Sequence, residues 1–184
     1  GAIQAANADS SVDGSAAGSG SDIIVFHQSL KGQTIYWSTS AALLVTSNIT
    51  INGDVDGDGK GDIILSGDVN RNGTRDATES SGLQSNAGGV LTVQNLDFRF
   101  FSGNNTGGAI RANGGSITIE DSNFQNNSGA VINSAVTAGS TVTVRNTTIH
   151  DNDASIVGAT GMSTLVRLGG ANNHLLENVA IYNN

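Results

Sequence analysis

Four segments of the chain repeat one another, and this repeat constrains the fold more than any other feature. They begin at Leu91, Ile117, Val142 and His174, so their starts lie 26, 25 and 32 residues apart. Each runs for eight residues, with Asn or Asp in the fifth place and Phe or Ile in the eighth. Internal repeats of about 20–50 residues indicate solenoids, in which each repeat stacks on the next.

Short apolar runs that end at Gly, Asn or Asp predict strands of three to five residues. Such runs occur at 23–26, 34–37, 43–45, 49–51 and 63–65. Three short strands in a repeat near 25 residues make one coil of a parallel β-helix. We therefore predict an all-β fold, a right-handed single-stranded parallel β-helix (β-solenoid) of about seven coils. A β-sandwich is the alternative, but its strands would not repeat a turn residue at this interval.

Coils of a β-helix stack about 4.8 Å apart, so equivalent residues should form continuous rows. The eighth places should form an inner row, and the fifth places a row of turn amides. The fourth places put Arg145 between two glutamates, which favours this register. The rows are Gln94, Glu120, Arg145, Glu177; Asn95, Asp121, Asn146, Asn178; Phe98, Phe124, Ile149, Ile181; and, three residues further on, Phe101, Asn127, Asn152, Asn184.

The N-terminal region differs from the rest of the chain. Residues 1–21 are rich in Ala, Gly and Ser, and 2–8 can form about two helical turns. We predict that residues 1–21 form a helix-and-loop cap and that 22–184 form the β-helix. Trp37 is expected to cover the first coils.

Composition and charge exclude several classes of partner. The formal net charge is −8, so binding to nucleic acid phosphates is not expected. No apolar run approaches the about 18 residues of a membrane-spanning helix, and we predict no membrane insertion. Cysteine is absent, which excludes disulfides and thiolate metal sites. The chain is expected to be extracellular or at the cell surface.

Two acidic loops at 52–80 have the spacing of calcium ligands. In the first, carboxylates stand at places 1, 3, 5 and 9, with Gly59 at place 6 and the backbone carbonyl of Lys60 at place 7. The second matches the full D-x-[DN]-x-[DN]-G-x₅-E pattern. We predict two Ca²⁺ ions rather than Mg²⁺, in loops between strands, although solvated acidic turns are the plainer alternative. The predicted ligands are Asp54, Asp56, Asp58, Lys60, Asp62, Asp68, Asn70, Asn72, Thr74, Asp76 and Glu79.

Two resemblances to known families agree with this fold. The first is to the repeat of polymorphic outer-membrane proteins, GGA[I/L/V] followed by FxxN. The second is to large secreted bacterial β-helix proteins with a CSLREA-type opening, although the Cys-containing start of that motif is missing. Both imply a secreted β-helix and say little about activity. The matching residues are 107–110 with 124–127, 128–131 with 149–152, and Ala2-Ile3, Ala6-Asn7, Asp22-Ile23, Phe26, Leu30, Gly32 and Thr34-Ile35.

Catalysis is the main alternative, because parallel β-helices often carry polysaccharide lyases, hydrolases and epimerases. Glycoside hydrolysis would require two carboxylates about 5–9 Å apart. Asp151 and Asp153 share one turn, and turn capping explains them more simply. The arginines are expected to fall in different rows, and no His pair has zinc spacing. The candidates are Asp97, Arg99, Arg111, Arg145, Asp151, Asp153 and Arg167.

These features predict a calcium-stabilised structural module, which acts as an adhesin stalk or as a subunit of an extracellular filament or matrix. The alternatives are a carbohydrate-active β-helix of the lyase or epimerase kind and a glycan-binding module. Residues 182–184 lie inside a repeat unit, which predicts an end coil with unpaired backbone groups. The expected partners are therefore further copies of the chain, stacked end to end, and glycans.

Overall fold

The computed structural model describes residues 1–38, 41–75, 80–103, 108–134, 139–153, 165–169 and 173–184. One helix, α1 (Ala2–Ala8), precedes the strands, and a short 3₁₀ turn (Gln28–Leu30) follows the first strand. The strands are β1 (Ser21–Val25), β2 (Thr34–Tyr36), β3 (Leu43–Val45), β4 (Asn48–Asn52), β5 (Ile63–Ser66), β6 (Leu83–Asn86), β7 (Val90–Gln94), β8 (Leu96–Arg99), β9 (Ser102–Gly103), β10 (Ile110–Asn113), β11 (Ser116–Glu120), β12 (Asn123–Gln125), β13 (Ser128–Gly129), β14 (Ile132–Ser134), β15 (Val142–Arg145), β16 (Thr148–His150), β17 (Val166–Arg167), β18 (Leu175–Glu177) and β19 (Ala180–Tyr182).

Three parallel sheets run along the solenoid, and each coil adds a strand to them in turn. The first sheet has the order β1-β4-β7-β11-β15-β18, the second β2-β5-β8-β12-β16-β19, and the third β3-β6-β10-β14-β17. Strands β9 and β13 pair beside them as a fourth, two-stranded sheet. The parallel β-helix is therefore confirmed, with six coils in the described part of the chain against the expected seven.

The rows predicted from the repeat are present in register. Leu91 pairs with Ile117, and Ile117 with Val142 in the next coil. On the second sheet Phe98 pairs with Phe124, whose partner on the far side is Ile149. The two phenylalanine rings are stacked, with centroids 4.7 Å apart and planes 6° from parallel. Since both side chains are fully buried, this row forms the centre of the core.

The corner after each first-sheet strand is made by the fifth-place residue. Asn95, Asp121, Asn146 and Asn178 all have a positive φ, between 48° and 55°. Asn and Asp tolerate this left-handed conformation better than other residues with a Cβ. Their side chains also bond from coil to coil, as when the Asn146 amide donates to Asp121 Oδ1 at 3.1 Å. The repeat of Asn or Asp thus fixes the same turn in four successive coils.

A second polar row is buried inside the solenoid. Asn127 Oδ1 accepts from the Phe101 N–H at 2.9 Å, and Asn127 Nδ2 donates to the Phe98 carbonyl at 3.0 Å. Asn152 makes the same pair of bonds one coil further on, to the Asn127 N–H and the Phe124 carbonyl. Asn127 and Asn152 are almost completely buried. Each asparagine therefore ties two backbone groups of the preceding coil.

Helix α1 lies against the start of the solenoid. Ala5 and Ala6 are buried there. Asn7 Nδ2 donates to the Leu44 carbonyl at 2.7 Å, and Asn7 Oδ1 accepts from the Thr46 N–H at 2.9 Å. Trp37 is also buried and meets the Phe101 ring edge-on at 5.2 Å. The predicted helix is confirmed, and Trp37 packs in the core near the first coils as expected.

Candidate calcium loops

Both acidic loops leave the second coil. Loop 1 (residues 54–62) connects β4 to β5, and loop 2 (residues 68–79) lies between β5 and β6. In loop 1 one carboxylate oxygen from each of Asp54, Asp56 and Asp58 lies within 4.8 Å of the other two. Calcium binds oxygen at about 2.4 Å, so two oxygens on opposite sides of one ion are about 4.8 Å apart. These separations are within the limit for three ligands of one Ca²⁺.

The backbone of loop 1 wraps around the carboxylate at its first place. Asp54 Oδ2 accepts from the Gly59 N–H at 2.9 Å, and Asp54 Oδ1 accepts from the Asp58 N–H at 3.2 Å. Further along the loop, Asp58 Oδ1 accepts from the Lys60 N–H at 2.9 Å. Gly59 has a φ of 79°, the left-handed conformation expected of a glycine at place 6.

Loop 2 repeats this scaffold over its first seven places. Asp68 accepts from the Asn72 N–H at 3.0 Å and from the Gly73 N–H at 2.8 Å, and Asn72 Oδ1 accepts from the Thr74 N–H at 2.8 Å. Gly73 again has a positive φ, of 70°. Two sequences with different charges thus form the same hydrogen bonds over these seven places, which a generic acidic turn does not require. Asp76 and Glu79, predicted at places 9 and 12, lie outside the described residues.

A lysine from the first coil contacts loop 1. Lys31 Nζ bonds to Asp56 and lies 3.4 Å from Asp62 Oδ1. The hydrogen bond to Asp56 raises the pKa of Lys31, and the same bond lowers the pKa of Asp56. Lys31 thus places a positive charge on two predicted calcium ligands. The repeat does not extend to the first coil, so no sequence signal pointed to this contact.

The remaining predicted ligands take separate positions. Asp62 Oδ2 accepts from the Val55 N–H at 3.0 Å, which turns its carboxylate towards loop 1. Asn70 Oδ1 accepts from the Asn72 N–H at 3.0 Å. The carbonyl ligands predicted at Lys60 and Thr74 stay a prediction. Oxygen-rich donor sets of this kind suit Ca²⁺, so the fit supports the prediction without identifying the ion.

Loop 2 also reaches a distant coil. Arg75 Nη1 donates to the backbone carbonyl of Asp151 at 3.0 Å. Asp151 follows β16, which is three coils beyond the strand from which loop 2 departs. Loop 2 therefore lies along the side of the solenoid and braces it.

The catalytic candidates in the described part of the chain spread over three sheets. Asp97 and Arg99 form an ion pair on the second sheet. Arg145, on the first sheet, bonds to Glu177 at 3.0 Å and lies 3.4 Å from Glu120. In each of these contacts a charged candidate is paired with another charged side chain. The pairs between neighbouring coils stabilise the stack.

The expectation that the arginines occupy different rows is wrong for one pair. Arg111 pairs with Asn133, and Asn133 with Arg167, so both arginines lie in one row of the third sheet. The long connection between β16 and β17 hides this register from the repeat. Burial lowers the pKa of Arg111, whose Nη1 donates to Gln84 at 3.3 Å.

The histidines have local partners. His27 Nδ1 lies 2.9 Å from Ser29 Oγ, and His174 Nδ1 accepts from the Val142 N–H at 3.1 Å. His150 contacts the Asp151 carboxylate at 2.7 Å and stacks on Tyr182 at 5.1 Å. The absence of a zinc site therefore stays a prediction from the sequence.

The chain matches no protein-family model, no curated protein and no solved structure. Among the described residues, no helix has the length and apolar character needed to cross a membrane. The two family resemblances seen in the sequence therefore remain predictions.

Proposed function

We propose that this chain is an extracellular structural module, a calcium-stabilised β-solenoid that serves as an adhesin stalk or as a subunit of a filament or matrix. The observation that carries the proposal is the repeated scaffold of loops 1 and 2, which hold oxygen ligands on the second coil. Such loops suit extracellular calcium, since modules outside the cell bind it with dissociation constants of about 0.1–1 mM.

The packing of the solenoid supports a structural role. The same contacts recur from coil to coil: stacked core rings, corner amides and the buried asparagine row. Solenoid stability is approximately a sum of coil terms and nearest-neighbour terms, so each repeated contact adds to the stability of the stack. Outward charges such as Arg145 are paired within rows and hold neighbouring coils together.

Hydrogen exchange with and without calcium tests the proposal. Chelator should speed exchange in residues 52–75, where carboxylates would repel one another, and leave β11 and β12 unchanged. Asp56→Asn should reproduce the effect and lower calcium affinity. Asp13→Asn is the matched control, because its side chain is 77% exposed and lies outside the loops. A melting temperature and an exchange pattern that ignore chelator would refute the calcium role.

End-to-end stacking is proposed for the same module. Among the residues that the structure describes, strands β18 and β19 pair on one side only, with β15 and β16. Leu176 is 45% exposed and Ile181 50% exposed on these strands. A further coil, from a continuing chain or a second copy, would cover both side chains. Light scattering at high protein concentration with calcium tests self-association, and a persistent monomer counts against it.

Glycan recognition is the second candidate function, and a polar pocket on the second sheet favours it. A screen on acidic polysaccharides that measures unsaturated products or new reducing ends distinguishes a carbohydrate-active enzyme from a glycan-binding module. Binding without turnover would identify a recognition module.

A further inference from the structure

A small pocket opens on the outer side of the second sheet, beside loop 2. Its volume is about 200 Å³. Drug-sized ligands need about 300–1,000 Å³, so this pocket suits one sugar-sized group. The polar and charged side chains that line it come from three coils and from loop 2 itself. They are Thr34, Tyr36, Ser66, Asp68, Arg71 and Arg99.

Two guanidinium groups give the pocket its chemistry. Arg71 Cζ lies 4.8 Å from the centroid of the Tyr36 ring, a cation–π distance. No carboxylate pairs with Arg71 among the residues that the structure describes. Arg99 Nε donates to Asp97 Oδ2 at 2.9 Å, so its charge is already partly balanced. Arg71 is therefore the charge most available to a ligand, and guanidinium groups bind carboxylates in a bidentate manner.

Loop 2 forms one wall of the pocket. Asp68, at the first predicted calcium place, is buried and lines it together with Arg71 and Gly73. Without calcium, the negative charges of Asp68 and Asp97 offset the positive charges of Arg71 and Arg99. A Ca²⁺ ion on Asp68 would make the surroundings net positive. Anion binding should therefore depend on calcium.

The row that continues from the pocket would let a longer glycan extend beyond it. Ser66, Arg99, Gln125 and His150 follow one another on successive strands of the second sheet. They carry hydroxyl, guanidinium, amide and imidazole groups at steps of about 4.8 Å. The Gln125 amide also donates to Asp97 at 2.9 Å, and His150 contacts Asp151. A chain of hydroxyl-rich units can bond along such a row.

We propose that this pocket binds the carboxylate of an acidic sugar residue in an extracellular glycan, and that calcium in loop 2 makes it competent. The proposal rests on the calcium-binding module proposed above. Arg71 pairs with the sugar carboxylate, the Tyr36 ring packs on the apolar side of the sugar, and Thr34 and Ser66 supply hydroxyl partners. The rest of the glycan runs along the row of Gln125 and His150.

Calorimetry on the full chain tests this, with a hyaluronan oligosaccharide as the acidic probe and a chitin oligosaccharide of equal length as the neutral one. With calcium present, the acidic probe should bind and the neutral one should not. Arg71→Gln should weaken binding by at least about tenfold, because it removes the charge-assisted, bidentate hydrogen bonds to the carboxylate. Tyr36→Leu should also weaken it. Arg145→Gln removes the same charge from the first sheet and should leave binding unchanged.

The controls separate this proposal from the calcium role. Direct calcium titration is run on the same samples, and circular dichroism confirms that each variant is folded. If calcium binds but the acidic probe does not, or if Arg71→Gln binds as well as the parent chain, the pocket assignment is wrong. Equal binding of inorganic sulfate or of the neutral probe overturns the acidic-sugar assignment. If calcium does not bind, Arg71-dependent probe binding would keep the pocket but overturn its dependence on calcium, and no probe binding would refute both proposals.

Discussion

Replacing Asn127 by Ala should lower the free energy of unfolding more than replacing any exposed residue does. Asn127 is fully buried, and its amide satisfies the Phe101 N–H and the Phe98 carbonyl. Each buried backbone group left without a partner costs about 1–3 kcal/mol. Loss of both bonds should lower the free energy of unfolding by about 4 kcal/mol. For a chain of this size, about 4 kcal/mol lowers the melting temperature by about 12 °C.

Urea unfolding measures this change through two signals. Trp37, the only tryptophan, reports on the first coils, and circular dichroism reports on all strands. Coincident curves justify a two-state free energy, which a solenoid does not guarantee. Asn126→Gly is the matched control, because Asn126 has a φ of 55° that glycine adopts freely. A loss below about 1 kcal/mol for Asn127→Ala, no larger than the control, would refute the reasoning.

Asn127→Asp adds a pH-dependent test of the same bonds. The ionised form of the introduced carboxyl group would place an oxygen against the Phe98 carbonyl and Asn152 Oδ1, both of which accept from the native amide. Only the protonated acid can donate there, so folding should raise its pKa above the usual value of about 3.9. The folded variant then binds more protons than the unfolded one, and its stability should increase as the pH falls. Stability that instead falls in acid, relative to the native chain, would contradict this.

Two further substitutions test the loops and the corners. Lys31→Met removes a competing cation, so calcium affinity at loop 1 should rise in a calcium titration; lower affinity would contradict this. The Lys31–Asp56 bond stabilises loop 1 above the ordinary Asp pKa of 3.8. Acid should therefore lower the amide protection factors of loop 1, measured against the intrinsic exchange rate at each pH, in the native chain and less in Lys31→Met. Gly115→Ala would bring a Cβ into overlap with the Asn86 carbonyl oxygen, so thermal melting should show clear destabilisation, and an unchanged melting temperature would refute the close approach.

Sequence reasoning predicts the later coils well, because their corners repeat. The rows of Asn95 and Phe98 are in the predicted register, even across the longer 32-residue interval before His174. The reason is that a left-handed Asn and a buried ring each require a specific residue type. The first two coils lack this signal, although Ile49 pairs with Leu91 in the same row. Loops 1 and 2 interrupt their spacing.

The candidate site was predictable only in its local part. The alternation of acids and glycines in loops 1 and 2 reports on neighbours in sequence, and the structure gives both the same hydrogen bonds. Contacts between coils depend on how the strands of the first coils align with the next coil, and the sequence does not reveal that alignment. Lys31 on Asp56 and Arg71 on Tyr36 belong to this second group.

The bond from Arg75 to the Asp151 carbonyl has a consequence for how such a protein can change in length. A uniform stack tolerates gain or loss of a whole coil, since each new coil presents the same rows to its neighbours. The Arg75 bond, however, spans three coil steps, about 14 Å at the spacing of parallel strands. A coil inserted between β5 and β16 would separate the two groups. A coil can therefore be duplicated after Asp151 without breaking this bond. Between β5 and β16 the bond requires a fixed number of coils.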